Sequence, residues 1–268
     1  MTTQQFQRAR SEAQRQQRRD AILSVAADMV LEMPVADLSL NELSRRVGLA
    51  KSNVLRYFES REAVLLELLD AAWQEWLGRL ASDLDGADQS ERSERSGASE
   101  RSEASERTPD DVAEIITISL VNDRLFCELM SVSAAILERN ISVEVARRYK
   151  QSSLANIAAF AGLVERSLPG LSPAGATYFA AGTIVAITGI WPVAHPSEAM
   201  LCVYEDPAMA SLRLDLATAL REMLATLLTG CLIRPEIRYD RSLNGTHPFN
   251  DSTDRDQFTT GVDVTLTF

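Results

Sequence analysis

The chain has 268 residues, 46% hydrophobic and 24% charged, with a formal net charge of -11 and a sequence pI of about 4.8. That balance allows a substantial soluble core and excludes a chain that is basic throughout, the usual footprint of a nucleic-acid binder. The charge is uneven, however: ahead of Asp20, Arg8, Arg10, Arg15, Arg18 and Arg19 face only Glu12, so one end can approach a polyanion that the acidic remainder repels.

Residues 1–14 read as a polar, basic arm without the apolar run of a signal peptide. The three cysteines, Cys127, Cys202 and Cys231, are widely spaced and form no CxxC or Cys/His cluster, which argues against zinc and for buried thiols in a reducing cytoplasm. His195 and His247 lie far apart and each precedes a proline, so they read as loop histidines. No metal and no cofactor is expected.

Residues 15–82 read as a helical head. Arg18–Met33 is amphipathic, with Ile22, Val25, Ala26, Met29 and Val30 on one face. The informative text is Leu38–Leu65, LSLNELSRRVGLAKSNVLRYFESREAVL. Ser39 is a good N-cap, and Glu42 three residues later completes a capping box. Leu40, Leu43 and Val47 share a face, and Gly48 supplies the left-handed backbone that ends the helix. A second short helix is expected over Ala50–Phe58. Two short helices joined through glycine make a helix-turn-helix.

The second helix opens on Lys51, Ser52 and Asn53, groups able to reach base edges and phosphates. Val54, Leu55 and Phe58 are the apolar candidates for facing the core, while Arg56 and Tyr57 would meet the flanking backbone. Ser60 caps the following helix, whose free N–H groups together with Arg61 suggest a phosphate site.

This text resembles the DNA-binding domain of the TetR (tetracycline-repressor-like) transcriptional regulators, through Glu42-Leu43, Val47-Gly48-Leu49, Lys51, Tyr57-Phe58, Ser60-Arg61-Glu62 and Leu65. The resemblance covers residues 15–80 and implies an all-α homodimeric repressor. Its recognition helices would enter successive major grooves of a palindromic operator, and a small-molecule effector in the body would alter their separation. Carried over, Ser39, Lys51, Ser52, Asn53, Tyr57 and Arg61 contact DNA. Leu55 stands where the family commonly has a backbone-contacting tyrosine, and Ser52 and Asn53 replace a usual Gly/Thr pairing, so the operator cannot be borrowed from relatives.

Residues 83–109 repeat Ser-Glu-Arg with no large apolar residue after Leu84, and a disordered linker is expected. Residues 110–231 read as a ligand-binding and dimerisation domain of four or five helices, over Asp110–Leu120, Leu125–Asn140, Ser142–Leu168, Ser172–Trp191 and Leu212–Cys231. Trp73, Trp76, Phe126, Met130, Phe160, Tyr178, Phe179 and Trp191 are the candidates to line a pocket for an apolar or aromatic effector, with core packing the alternative for each.

Ala176–Ala194 is uncharged over the length of a bilayer span, but its threonines, glycines and missing basic flanks favour a buried helix at a subunit interface. That helix and Leu212–Cys231 expose enough apolar surface to call for a homodimer. Residues 232–268 read as a poorly ordered tail, whose end, Val262–Phe268, alternates like a strand without an evident partner.

The fold class expected is therefore all-α, a three-helix head on a helical body. The function expected is sequence-specific binding of double-stranded DNA. An enzyme carrying a helix-turn-helix is the first competing reading, opposed by the lack of any nucleophile elbow, phosphate loop or catalytic carboxylate pair. A membrane-attached scaffold is the second.

Overall fold

The computed structural model describes residues 3–95, 107–230, 232–241 and 256–265, with side chains over 12–86 and 107–230. The chain divides into two units, Met1–Leu224 and Ala225–Phe268.

The first unit opens with α1 (Thr3–Glu32), which runs through the expected arm. A short 3-10 turn, Val35–Asp37, leads into α2 (Leu40–Val47) and α3 (Lys51–Val54). Ile22, Ala26, Met29 and Val30 of α1 meet Leu43 and Val54 in a small buried core, with Val25 left half-buried at its margin. Next comes α4 (Arg61–Arg95), which continues well into the Ser-Glu-Arg text. The linker expected over 83–109 is thus helical as far as Arg95; its centre, 96–106, lies outside the described residues. Alternating Glu and Arg suit a helix even where there is nothing to bury, and that outweighs low hydrophobicity here.

The body begins with α5 (Pro109–Val121), opened by Thr108 and Asp111 in a reciprocal capping box with Pro109 in the first turn. It continues through α6 (Arg124–Val132), a π-helical turn at Ser133–Leu137, α7 (Val143–Ser167) and α8 (Pro173–Ala194). The π turn breaks the single helix expected over Leu125–Asn140. Pro192 does not end α8, which runs on to Ala194 although the proline has no amide to give to the carbonyl one turn earlier. The sequence reading had no place for α9 (Glu198–Tyr204), a helix that buries no residue and so has no apolar period to betray it.

Length and composition alone would let α8 cross a membrane. One face of it, Ala176, Phe179, Ala180, Thr183, Ile187, Ile190 and Trp191, is buried against α6 and α7, while Val185 and Val193 are exposed. The helix is therefore half covered within the chain, not fully buried. Cys127 is buried, and desolvation by that burial, with Asp123 and Glu128 nearby, pushes its thiol well up. Cys202, expected to be buried, is exposed on α9. Cys231 and His247 lie outside the described residues.

The final helix, α10 (Leu216–Thr229), buries Leu220 and Leu224. In the second unit β1 (Leu232–Arg241) pairs antiparallel with β2 (Asp256–Thr265). The strand-like end of the tail thus has a partner. The register sets Ile233, Pro235, Ile237 and Tyr239 opposite Val264, Val262, Thr260 and Phe258. Leu232–Arg241, expected to belong to a poorly ordered tail, is instead a strand whose mate lies well along the chain.

Candidate nucleic-acid interface and aromatic core

The helix-turn-helix is built by local chemistry. Ser39 Oγ accepts from the Glu42 amide at 3.2 Å, which starts α2. The expected capping box forms only this half, because the Glu42 carboxylate takes Arg45 (2.9 and 2.6 Å) and Arg46 (2.9 Å) instead of returning to Ser39. Those hydrogen bonds, Arg45 first and then Arg46, lower the Glu42 carboxyl to about 2. Arg46 also pairs with Glu32 and so ties α2 to α1.

Gly48 closes α2 at φ +72°, its amide reaching Arg45 O at 3.2 Å while Leu49 reaches Ser44 O at 3.0 Å. A Cβ there would meet nothing within 4 Å. Glycine is required for the left-handed backbone alone.

The recognition segment is tighter than expected. After the single turn of α3, Arg56 N–H donates to Asn53 O at 3.2 Å and Tyr57 N–H to Val54 O at 2.9 Å. Val54 and Phe58 anchor the segment, buried one helical turn apart, whereas Leu55 is 42% exposed and does not join the core. Position 55 is rotated about 100° from Val54, away from the α1–α2 packing. Lys51, Ser52, Asn53 and Arg56 are exposed, as is Ser39; Tyr57 is half-buried. Of the side chains expected to meet DNA, Lys51, Ser52, Asn53 and Arg56 thus stand together on one exposed turn held from below.

Arg61 is placed differently from its neighbours. Its guanidinium donates to Leu38 O at 2.8 Å, to Ala36 O at 3.3 Å and to the buried Glu62 carboxylate at 2.8 and 3.1 Å. It therefore straps the loop before α2 to the start of α4. Arg19 does comparable work for α1: it donates to Tyr57 O at 2.6 Å, pairs with Glu67, and lies 4.3 Å over the Phe58 ring. Sequence reading missed both straps, since their partners are 23 and 38 residues away.

Most of the expected effector residues converge on one aromatic cluster. Trp76 stacks on Phe126 at 5.2 Å and meets Phe160 edge-on at 4.9 Å. Trp73 reaches Phe126 at 5.8 Å, and Phe179 reaches Phe160 at 6.0 Å. Met130 and Trp191 are buried as well, with Trp191 Nε1 donating to Glu128 at 2.8 Å.

Tyr178 does not belong to this group. It is 77% exposed, because the buried stripe of α8 passes through its neighbours Ala176 and Phe179. Trp76 Nε1 donates to Ser119 at 3.0 Å. Trp73 Nε1 and Thr117 Oγ1 are buried without any hydrogen-bond partner among the described residues.

Two polar clasps join the head to α7. The Ser142 amide donates to Glu59 at 2.6 Å, which holds the Glu59 carboxyl below its ordinary range, and Asn156 Nδ2 donates to Asp70 at 3.0 Å beside a Ser152–Asp70 hydrogen bond. Neither acid was singled out by sequence, and no local signal marks them.

A family described as "Tetracyclin repressor-like, C-terminal domain" matches residues 70–235. The HTH-type transcriptional regulator EthR of Mycobacterium tuberculosis is 42% identical over 50 residues, 19% of this chain and 23% of the relative. The chain thus matches about a quarter of the length of that curated relative. Among solved structures, the transcriptional regulator FadR of Bacillus subtilis in complex with stearoyl-CoA has a TM-score of 0.47 at 14% identity, covering 78% of this chain and 97% of that one. A putative transcriptional regulator of Rhodococcus sp. RHA1 has a TM-score of 0.49 at 16% identity, covering 78% and 95%. The chain belongs to the tetracycline-repressor-like family of transcriptional regulators.

Proposed function

We propose that the protein is a ligand-responsive repressor that binds a palindromic operator as a homodimer, in the cytoplasm, and is released by a small apolar or aromatic effector. The observation that carries this is the recognition turn: Lys51, Ser52, Asn53 and Arg56 are all exposed, set on a glycine-terminated helix pair that gives them a rigid base. Asn53 is assigned to a base edge, Ser52 to base or backbone, and Lys51, Ser39, Arg56 and Tyr57 to the phosphate backbone. Arg61 acts as a positioning residue, because its donors are already engaged.

The dimer would use the outer face of α8, where Tyr178, Val185 and Val193 are 77%, 72% and 50% exposed, together with α10. Two copies pairing these helices bury that surface in a four-helix contact. The effector would enter among the rings around Trp76. There the buried Trp73 N–H lacks a hydrogen-bond partner among the described residues, and a neutral ligand with a hydrogen-bond acceptor would supply one. Movement of α7 would reach the recognition turn through the Glu59–Ser142 and Asp70–Asn156 clasps.

The test is selection of bound duplex from a random pool with the full chain. A two-fold symmetric site is expected, with half-sites centred about 34–36 Å apart, and sedimentation should give twice the 29.5 kDa chain mass. Asn53→Ala should change preference at one base pair by about 1–3 kcal/mol. An asymmetric or absent consensus from a monomeric protein would refute the reading.

A further inference from the structure

The arginines in and around the head differ in how they are engaged. Arg19, Arg45, Arg46, Arg61 and Arg79 are each paired with a carboxylate: Glu67, Glu42, Glu32 and Glu42, Glu62, and Asp123 respectively. Arg15, Arg18 and Arg56 have no carboxylate partner among the described residues. They nevertheless line a single cleft of about 370 Å³, together with Gln14 and Tyr57. The cleft contains no acidic residue, although Asp and Glu outnumber Lys and Arg by 38 to 27 in the chain.

The fold brings these cations together from distant positions. Arg15 and Arg18 are one turn apart on α1, while Arg56 belongs to the recognition turn. Arg19, next in the helix, fastens α1 to that turn through Tyr57 O and the Phe58 ring. Three exposed guanidinium groups around one open cleft make a local positive patch, although Arg15 also borders the adjoining cleft lined by Glu59, Glu67 and Asp70. A guanidinium suits phosphate oxygens, which it can meet with paired donors.

We propose that this cleft is a second DNA-contact site, taking the phosphodiester backbone of the duplex beside the bases read by Asn53. The inference rests on the DNA-binding reading above and extends it to α1, where neither the family match nor the helix-turn-helix motif assigns a contact. Continuity with Arg56 and Tyr57 places the cleft at the margin of the recognition turn. Its positive charge matches the phosphate strand that any duplex seated on that turn presents. The site adds affinity without reading sequence. It also supplies the local attraction that the acidic body withholds.

The experiment is a salt titration of duplex binding by the full-length protein, with Arg15→Gln/Arg18→Gln and Arg15→Lys/Arg18→Lys as paired variants. Each phosphate contact contributes about 0.9 to the slope of log affinity against log salt. The glutamine pair should therefore flatten the slope by about one to two units on both the selected site and a random duplex. The lysine pair should retain most of it. Base preference should be unchanged, and the melting temperature should not move, since both side chains are exposed and unpaired. Arg56→Gln reads the same cleft from the recognition side.

An unchanged slope for the glutamine pair, with the parent binding normally, would overturn the cleft's role and leave the recognition turn intact. A glutamine pair that changes base preference would overturn it too. A parent that binds no duplex at low salt would remove the DNA reading and the cleft together.

Discussion

The head and the body of this protein are held by different physics. In the head, charged side chains act as straps: Arg61 spans from α4 to the loop before α2, Arg46 from α2 to α1, and Arg19 from α1 to the recognition turn. Where α4 meets the body, Trp73 and Trp76 pack ring against ring with Phe126, Phe160 and Phe179, all of them buried. Straps suit a small surface-rich module that must present a fixed turn, because the charged groups hold geometry where little apolar area exists to bury. Ring packing stabilises by apolar burial, and Trp73 Nε1 and Thr117 Oγ1 are buried there without a hydrogen-bond partner among the described residues.

The sharpest way to break this comparison is to delete a ring. Trp76 is fully buried and both stacks on Phe126 and donates to Ser119. Trp76→Ala should cost about 3–5 kcal/mol in a denaturant melt. A cost below about 1 kcal/mol would mean that the aromatic cluster is not what holds the body.

A strap should cost less and act locally. Arg61→Ala leaves the Glu62 carboxylate buried without its cation and frees the Ala36 and Leu38 carbonyls. A loss of about 1–3 kcal/mol is expected, with the salt dependence of DNA binding unchanged in slope. A slope flattened by about one unit at unchanged stability would show Arg61 on a phosphate instead.

The smallest effect is acid sensitivity in the head. The Glu42 carboxyl is lowered from 4.5 to about 2 by Arg45 and Arg46. Its contribution is therefore fully present above pH 4.5 and is lost as pH falls toward about 2. Far-ultraviolet melts between pH 5 and pH 3 should show a steeper decline for the parent than for Glu42→Gln. Parallel declines would mean that the Arg45–Glu42–Arg46 cluster is solvent-screened to no net value.

What the sequence by itself determined was whatever is encoded within a few residues. Ser39 at the N-cap, Gly48 at the left-handed turn and the Ser172-Pro173 start of α8 were each legible, because capping and turn chemistry act over three or four positions. The buried face of α1 and Leu43 of α2 followed from their periods. The errors also have local causes: Leu55 and Tyr178 were assigned inward from residue type, although their helical angle turns them out. What only the tertiary structure decided was where distant charges meet. Glu42 chose Arg45 and Arg46 over its cap, Arg61 reached the loop before α2, Glu59 and Asp70 became clasps to α7, and Arg15, Arg18 and Arg56 came together without a carboxylate partner among the described residues. A long charged side chain has several partners within reach and only weak preferences among them, so its role is set by which backbone passes nearby, and that is fixed by packing that no short stretch of text contains.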